Sequence, residues 1–288
     1  MKLRDKEVIV KEAKKALLGI AENGELASYY IDELARFLVY GCDSNEDFLS
    51  LYEEMMSEIL PSGGLTCAEH SLIAELCRGI CRYSAEKGRR IGLSDFFESD
   101  EALGTRIVYV KNAISDEAYR KFEAVIKNAT VEYLPSFASA CEEVYYGRSP
   151  YCILPYENSE EGTLAGFMRL INKYELYPHF VCSCGGEDGV THLALLGRAP
   201  SVREENLEMR VRVSLSLLDG VTLSKVVTAA STLGIKLIKT ESVPLRWNEG
   251  RYGETLTFSA DTEGAVPFLI YLSLAAPECS DKAIYYKI

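Results

Sequence analysis

Up to Gly104 the apolar positions recur at helical spacing; beyond it they fall into short strand-like runs alternating with helical ones. Ile9, Ala13, Ala16, Leu17 and Ile20 predict a first helix, ended by Asn23-Gly24. Leu26 to Tyr40 forms a second, stopped near Gly41. Asp43 or Ser44 caps a third, with the stripe Phe48, Leu51, Tyr52, Met55, Met56 and Ile59. Pro61 to Gly64 is a loop by composition, and Thr66 with Glu69 makes a capping box. The helix it opens carries Leu72, Ile73, Leu76, Cys77, Ile80 and Cys81, and runs out near Lys87-Gly88. His70, early in that helix, is expected to face solvent. Four amphipathic helices with short links predict a bundle over 1–104.

The next stretch predicts strands at 107–110, 130–134 and 151–155, with helices at 115–127, 136–146 and 162–174 between and after them. Two further strands follow, Phe180 to Cys184 and Thr191 to Leu196, around a hairpin turn at 185–189. This is an α/β lobe over 105–200. Residues 207–288 read β-α-β-β-α-β, the split ferredoxin-like unit; Leu256 and Phe258 alternate there with Thr255, Thr257 and Ser259. The fold class is therefore α/β and α+β: a helical bundle, one α/β lobe and a ferredoxin-like βαββαβ domain.

Composition narrows the partners. The 288 residues carry 31 Lys plus Arg against 43 Asp plus Glu, net −12. Residues 1–104 hold 12 basic and 20 acidic side chains, so most of the negative charge belongs to the bundle. Such a surface repels phosphate backbones and anionic lipid, which argues against nucleic-acid and membrane partners. Met1 to Lys15 is too charged for a signal peptide, and no apolar run reaches spanning length. Nine Cys without framework spacing read as reduced thiols of a cytoplasmic protein.

The strongest motif candidate is Pro155-Tyr156-Glu157-Asn158-Ser159-Glu160-Glu161-Gly162-Thr163. As a strand-to-helix crossing it exposes unsatisfied backbone N–H groups, flanked by short polar side chains, where a carboxylate can bind. The alternative is that Asn158 or Ser159 only caps the helix.

This stretch resembles the Pro-x-Glu-Asn-Ser/Thr-x-x-Gly motif of prephenate dehydratases. Tyr133 to Phe137 upstream fits the same family, and Thr191-His192-Leu193 takes the place of its Thr-Arg-Phe strand. The βαββαβ unit looks like the ACT regulatory domain that follows in that family. The resemblance implies Thr191 as catalytic acid if the chain is active. It implies ligand-binding roles for Ser115, Glu157, Asn158, Ser159, Gly162, Thr163 and His192. It also implies an ACT ligand site at Gly220, Val221, Thr222 and Leu223 with Glu241 and Ser242, a homodimer through that domain, and no cofactor or metal.

The departures decide the reading. Lys111-Asn112-Ala113-Ile114-Ser115 replaces a glycine-rich turn, and His192 replaces an arginine and is a cation only when protonated. Gly162 to Tyr174 leads almost directly into the strand pair, with no second lobe to enclose a substrate. A helical chorismate mutase, which some relatives carry at the N-terminus, would need a cluster of inward cations that the acidic bundle lacks. His179, Cys182, Cys184 and His192 lack zinc-knuckle spacing and read as buried thiols and strand residues. The expected function is a non-catalytic relative, linked to aromatic amino-acid metabolism, that binds a small carboxylate or aromatic amino acid. The alternatives are an active dehydratase converting prephenate to phenylpyruvate, and a purely structural dimerisation module.

Overall fold

The computed structural model describes residues 11, 24–41, 52–53, 67–97, 104–160, 162–186, 189–203, 207–215, 220–244, 252–277, 279 and 281–288. Apart from residues 11 and 52–53, the helices expected over 9–20 and 43–59 lie outside the described residues, as do the 61–64 loop and the Thr66 cap. By contacts the chain divides into two units. The first is Met1–Leu93, Leu218–Leu237 and Asp261–Cys279; the second is Ser94–Leu217, Ile238–Ala260 and Ser280–Ile288. Each unit draws on more than one of the three segments 1–104, 105–200 and 207–288.

The first unit contains the helices α1 (Gly24–Gly41), α2 (Cys67–Glu86), α6 (Gly220–Thr232) and α7 (Thr262–Ala275). α1 and α2 meet through Ile31, Leu34 and Leu38 against Ile73, Cys77 and Ile80, all buried. They approach so closely that a Cβ on Gly79 would lie 2.6 Å from the Ala35 Cβ. α2 also packs on α6 and α7. Ser71 bonds the Thr232 hydroxyl at 2.7 Å, and Arg78 donates to the Thr232 carbonyl at 2.6 Å. His70 does not face solvent: it is buried, with Nδ1 2.9 Å from the Tyr271 hydroxyl. α7 is the reason, because this almost wholly apolar helix, capped by Asp261, packs on α2 and brings Tyr271 to His70.

Among the described residues the second unit is a ten-stranded mixed sheet with three α-helices. Its elements are β1 (Arg106–Tyr109), α3 (Ala113–Glu123), β2 (Thr130–Tyr133), α4 (Phe137–Tyr145), β3 (Tyr151–Asn158), β4 (Gly162–Thr163) and α5 (Ala165–Lys173). There follow β5 (Tyr177–Gly186), β6 (Gly189–Gly197), β7 (Glu208–Leu215), β8 (Lys236–Pro244), β9 (Tyr252–Ala260) and β10 (Asp281–Lys287). The order is β2-β1-β3-β6-β5-β10-β7-β9-β8, with β4 on β3. The last four strands in this order, β10-β7-β9-β8, carry α6 between β7 and β8 and α7 between β9 and β10. That is the split β-α-β connectivity expected for 207–288.

The lobe and the C-terminal strands are one sheet. β10 joins β5 in parallel, Tyr286 opposite Phe180 and Lys287 opposite Val181, and the Ile288 N–H bonds the Val181 carbonyl. One side of the sheet buries Val108, Cys152, Leu154, Ala194 and Leu196 against Cys141 and Val144 of α4 and Met168 and Ile171 of α5. α3 covers the other side, where Ala118 and Phe122 are buried. Among the described residues only α5, a short connection and the β5–β6 hairpin separate Thr163 from Gly197, which leaves no second lobe there.

Candidate functional site

The motif after β3 is not a strand-to-helix crossing. Gly162 and Thr163 fold back as β4, antiparallel to β3, so Glu157 pairs with Thr163 and Asn158 with Gly162. Gly162 takes φ +72° at the return, a conformation that costs glycine little. α5 starts only at Ala165, and its N-cap Leu164 makes no side-chain cap. Neither sequence reading of the motif survives: Asn158 and Ser159 neither cap a helix nor border its N-terminus. Strand pairing takes up the backbone groups that were expected to be free. The Asn158 Oδ1 accepts from the Glu160 N–H at 2.8 Å, and the Ser159 Oγ accepts from the Val190 N–H at 3.0 Å.

β6 then divides the remaining candidates. Successive side chains of a strand leave on opposite faces. Ala194 belongs to the core under α4 and α5, so His192 shares that side, while Thr191 and Leu193 face α3. Cross-strand register extends the division: Glu157 and Ser183 flank His192, whereas Asn158 and Cys184 flank Thr191. The pair expected to act together, Thr191 and His192, is split between the two faces.

On the α3 side, the Asn158 Nδ2 donates to the Thr191 Oγ at 3.2 Å. Lys121, the nearby cation of α3, donates to Glu117 at 2.8 Å and to the Ser183 carbonyl at 2.5 Å. Glu117 also accepts from the Gly185 N–H at 3.3 Å. Asn112 caps α3 by accepting from the Ser115 N–H, which is what the turn lacking glycine builds instead. The Ser115 Oγ is buried with no hydrogen-bond partner among the described residues. Cys182 and Cys184 lie on this face with Sγ atoms 3.7 Å apart; burial raises both thiols and keeps them protonated. Among the described residues no group of three or more His, Cys, Asp or Glu is placed to hold a metal.

The opposite side is a charged network. The Ser183 Oγ lies 2.9 Å from His192 Nδ1. Burial pushes the His192 pKa down; Glu157 opposes this, while Lys287 and Lys239 add to it. The ring is therefore neutral at pH 7, and His192 does not replace the expected arginine as a cation. The Lys239 Nζ lies 2.9 Å from Glu157, 2.6 Å from Glu241 and 3.2 Å from the Thr163 hydroxyl. Burial works against its charge, but hydrogen bonds to Glu241 and Glu157 outweigh that and hold its pKa above the usual lysine value. Beside this group, the Arg212 guanidinium donates to the Tyr156 hydroxyl at 2.8 Å, and the Tyr156 and Tyr285 rings lie 6.3 Å apart.

These contacts define the shape of the sheet. β3 and β8 are six strand steps apart in sheet order. Flat, that is about 29 Å at ~4.8 Å per step, whereas Lys and Glu side chains together bridge only about 12 Å. The sheet therefore curls over its α4/α5 side, bringing Lys239 onto Glu157 and Arg212 onto Tyr156. The inner face of β7 and β9 is polar yet buried, made by Arg210, Arg212, Thr255 and Thr257.

Of the expected ACT residues, Glu241 enters this network, whereas Ser242, on the other face of β8, donates to Glu254 at 2.6 Å. Gly220 to Leu223 form the first turn of α6, in the other unit; the side chains of Val221 and Thr222 lie outside the described residues. Sequence reasoning missed Lys239, Arg212, Tyr156 and Tyr285. One signal was available: Arg210 and Arg212 alternate with Met209, Val211 and Val213, placing two cations on one face of β7.

No family model matches the sequence, and no curated protein matches it. Among solved structures, prephenate dehydratase from Streptococcus mutans matches at TM-score 0.49 and 20% identity, over 64% of this chain and 99% of that one. GqqA, described as a novel type of quorum quenching acylase, matches at TM-score 0.48 and 19% identity, over 65% and 96%. Prephenate dehydratase from Arthrobacter aurescens, solved with L-Phe, matches at TM-score 0.47 and 13% identity, over 63% and 90%.

Proposed function

We propose that this protein is a non-catalytic relative of the prephenate dehydratases, a cytoplasmic homodimer that binds a small carboxylate or amino acid and regulates or scaffolds aromatic amino-acid metabolism. The observation that carries this reading is the split of Thr191 from His192 across the sheet. A dehydratase needs an acid for the departing hydroxyl and a fixed positive charge on the same substrate. Here Thr191 faces α3, the imidazole beside it in sequence faces away and is neutral, and Lys121 is engaged by Glu117 and a carbonyl. The curled inner face, with its buried arginines, offers the better surface for a small charged ligand. Purified protein supplied with prephenate should form no phenylpyruvate by absorbance, and L-phenylalanine should raise its melting temperature. Turnover that Thr191→Ala abolishes would overturn the reading.

One detail favours the second reading, an active dehydratase. Asn158 uses its amide nitrogen on the Thr191 oxygen, with its own oxygen already fixed by the Glu160 N–H. The Thr191 hydroxyl proton is thereby directed away from Asn158, as a general acid would require. The same absorbance assay separates the two readings.

A further inference from the structure

The strand order ends in β2 on one side and β8 on the other, and the two edges are built differently. β8 is blunted against strand pairing: it carries Lys236 and Lys239 and ends in Pro244, which has no N–H to donate. β2 has neither lysine nor proline, and all four of its residues are exposed, Val131 at 39% and Tyr133 at 47%. Pairing with β1 fixes which backbone groups β2 leaves open. The Thr130 N–H bonds the Thr105 carbonyl and the Leu134 N–H bonds the Tyr109 carbonyl, so the even-numbered residues bond inward. Alternation along the strand then turns the N–H and C=O of Val131 and of Tyr133 outward, to the open edge.

We propose that β2 pairs antiparallel with β2 of a second copy of this chain, Val131 opposite Tyr133, about a twofold axis at Glu132. The inference rests on the homodimer of the reading above and gives it an interface, on the α/β lobe. In this register each Val131 exchanges two backbone bonds with Tyr133 of the other copy, four in all. Val131 opposite itself gives only two, because the next pair would need Ala129. The Ala129 N–H already bonds the Ile126 carbonyl, and its own carbonyl accepts from the Tyr119 hydroxyl. Tyr133 opposite itself brings in Pro135, which lacks an N–H. The side chains fit the same register. Tyr133 lies on the α3 side, its ring 5.3 Å from that of Tyr109, which stacks on Tyr119 of α3; Val131, two residues away, shares that side. Two Val–Tyr pairs therefore form across the axis, a favourable β-branched and aromatic combination. The two Glu132 carboxylates meet on the other side, each bonded at 2.9 Å by Arg106 of its own chain, so the four charges cancel. So short an edge buries less than a standard interface, and the pair is accordingly weak, with a dissociation constant on the order of micromolar.

Sedimentation equilibrium of the full chain tests this. The unaltered protein should show a reversible monomer–dimer equilibrium. Val131→Pro removes an outward donor and leaves the β1–β2 ladder intact, so it should raise the dissociation constant at least tenfold while circular dichroism shows a folded chain. Tyr133→Ser, which keeps every backbone group, should raise it about fivefold. If Val131→Pro fails to fold, Tyr133→Ser decides alone. A dimer that both variants leave unchanged overturns the β2 interface while leaving the homodimer reading intact. A monomer at every concentration overturns both.

Discussion

The two faces of β3 and β6 are made by alternate residues of the same strands and are physically unlike. The α3 face packs Ala118 and Phe122 and adds the Lys121–Glu117 pair and the Asn158–Thr191 bond; the inner face carries, beside the apolar core under α4 and α5, Glu157, His192 and the Lys239 network. A contiguous motif can therefore name residues that never meet, because a strand sends each neighbour the other way. The largest expected effect belongs to the α3 face. Phe122→Ala, at a fully buried site under α3, should cost about 3–5 kcal/mol in urea unfolding. Ligand binding per folded molecule on the inner face should be unchanged; if binding is lost with intact folding, the faces are not independent.

Next comes a buried histidine whose chemistry is that of a packing residue. The His179 ring packs so tightly on Gly197 that a Cβ there would lie 2.5 Å from Nε2. Nε2 bonds the Ala199 carbonyl at 2.7 Å, and Nδ1 is buried without a hydrogen-bond partner among the described residues. Burial lowers its pKa from 6.5 to about 4; the carbonyl bond opposes this and Arg203 adds to it. The fold thus prefers the neutral ring. The stabilisation is complete above the unfolded value of 6.5 and is lost as pH falls from there through about 4. At ~1.4 kcal/mol per unit this amounts to about 3 kcal/mol, and His179→Gln should flatten that part of the stability–pH curve.

Lys239→Met is expected to cost about 1–2 kcal/mol, because it leaves two partly buried carboxylates facing each other. A double-mutant cycle with Glu157→Gln should show coupling of about 0.5–1 kcal/mol, whereas a cycle with Thr191→Val should be additive. Coupling between Lys239 and Thr191 would contradict the separation of the faces. Thr191→Val alone is the smallest change, about 1 kcal/mol for the lost bond with Asn158.

Much of the lobe was legible in the sequence because its signals are local. The helix expected over 136–146 forms, its N-cap being Ser136, which accepts from the Ser139 N–H, and Cys182 and Cys184 do share a strand face. The motif residues were legible as a group but not in their geometry. Whether Gly162 opens a helix or a hairpin depends on whether β6 is there to bond Asn158 and Ser159, and that strand comes some thirty residues later. His70 was misjudged for the same reason, its partner Tyr271 being 201 residues away.

By itself, the sequence determined the alternation of strands and helices, the acidic balance and the β-α-β-β-α-β order, all of which follow from side-chain periodicity and composition. Only the tertiary structure decided that β10 would bond β5 and make a single sheet of both parts, and that this sheet would curl until Lys239 met Glu157 and Arg212 met Tyr156. Periodicity assigns a residue to a face. Which residues meet across that face depends on strand order and curvature, set by contacts between positions far apart in the chain.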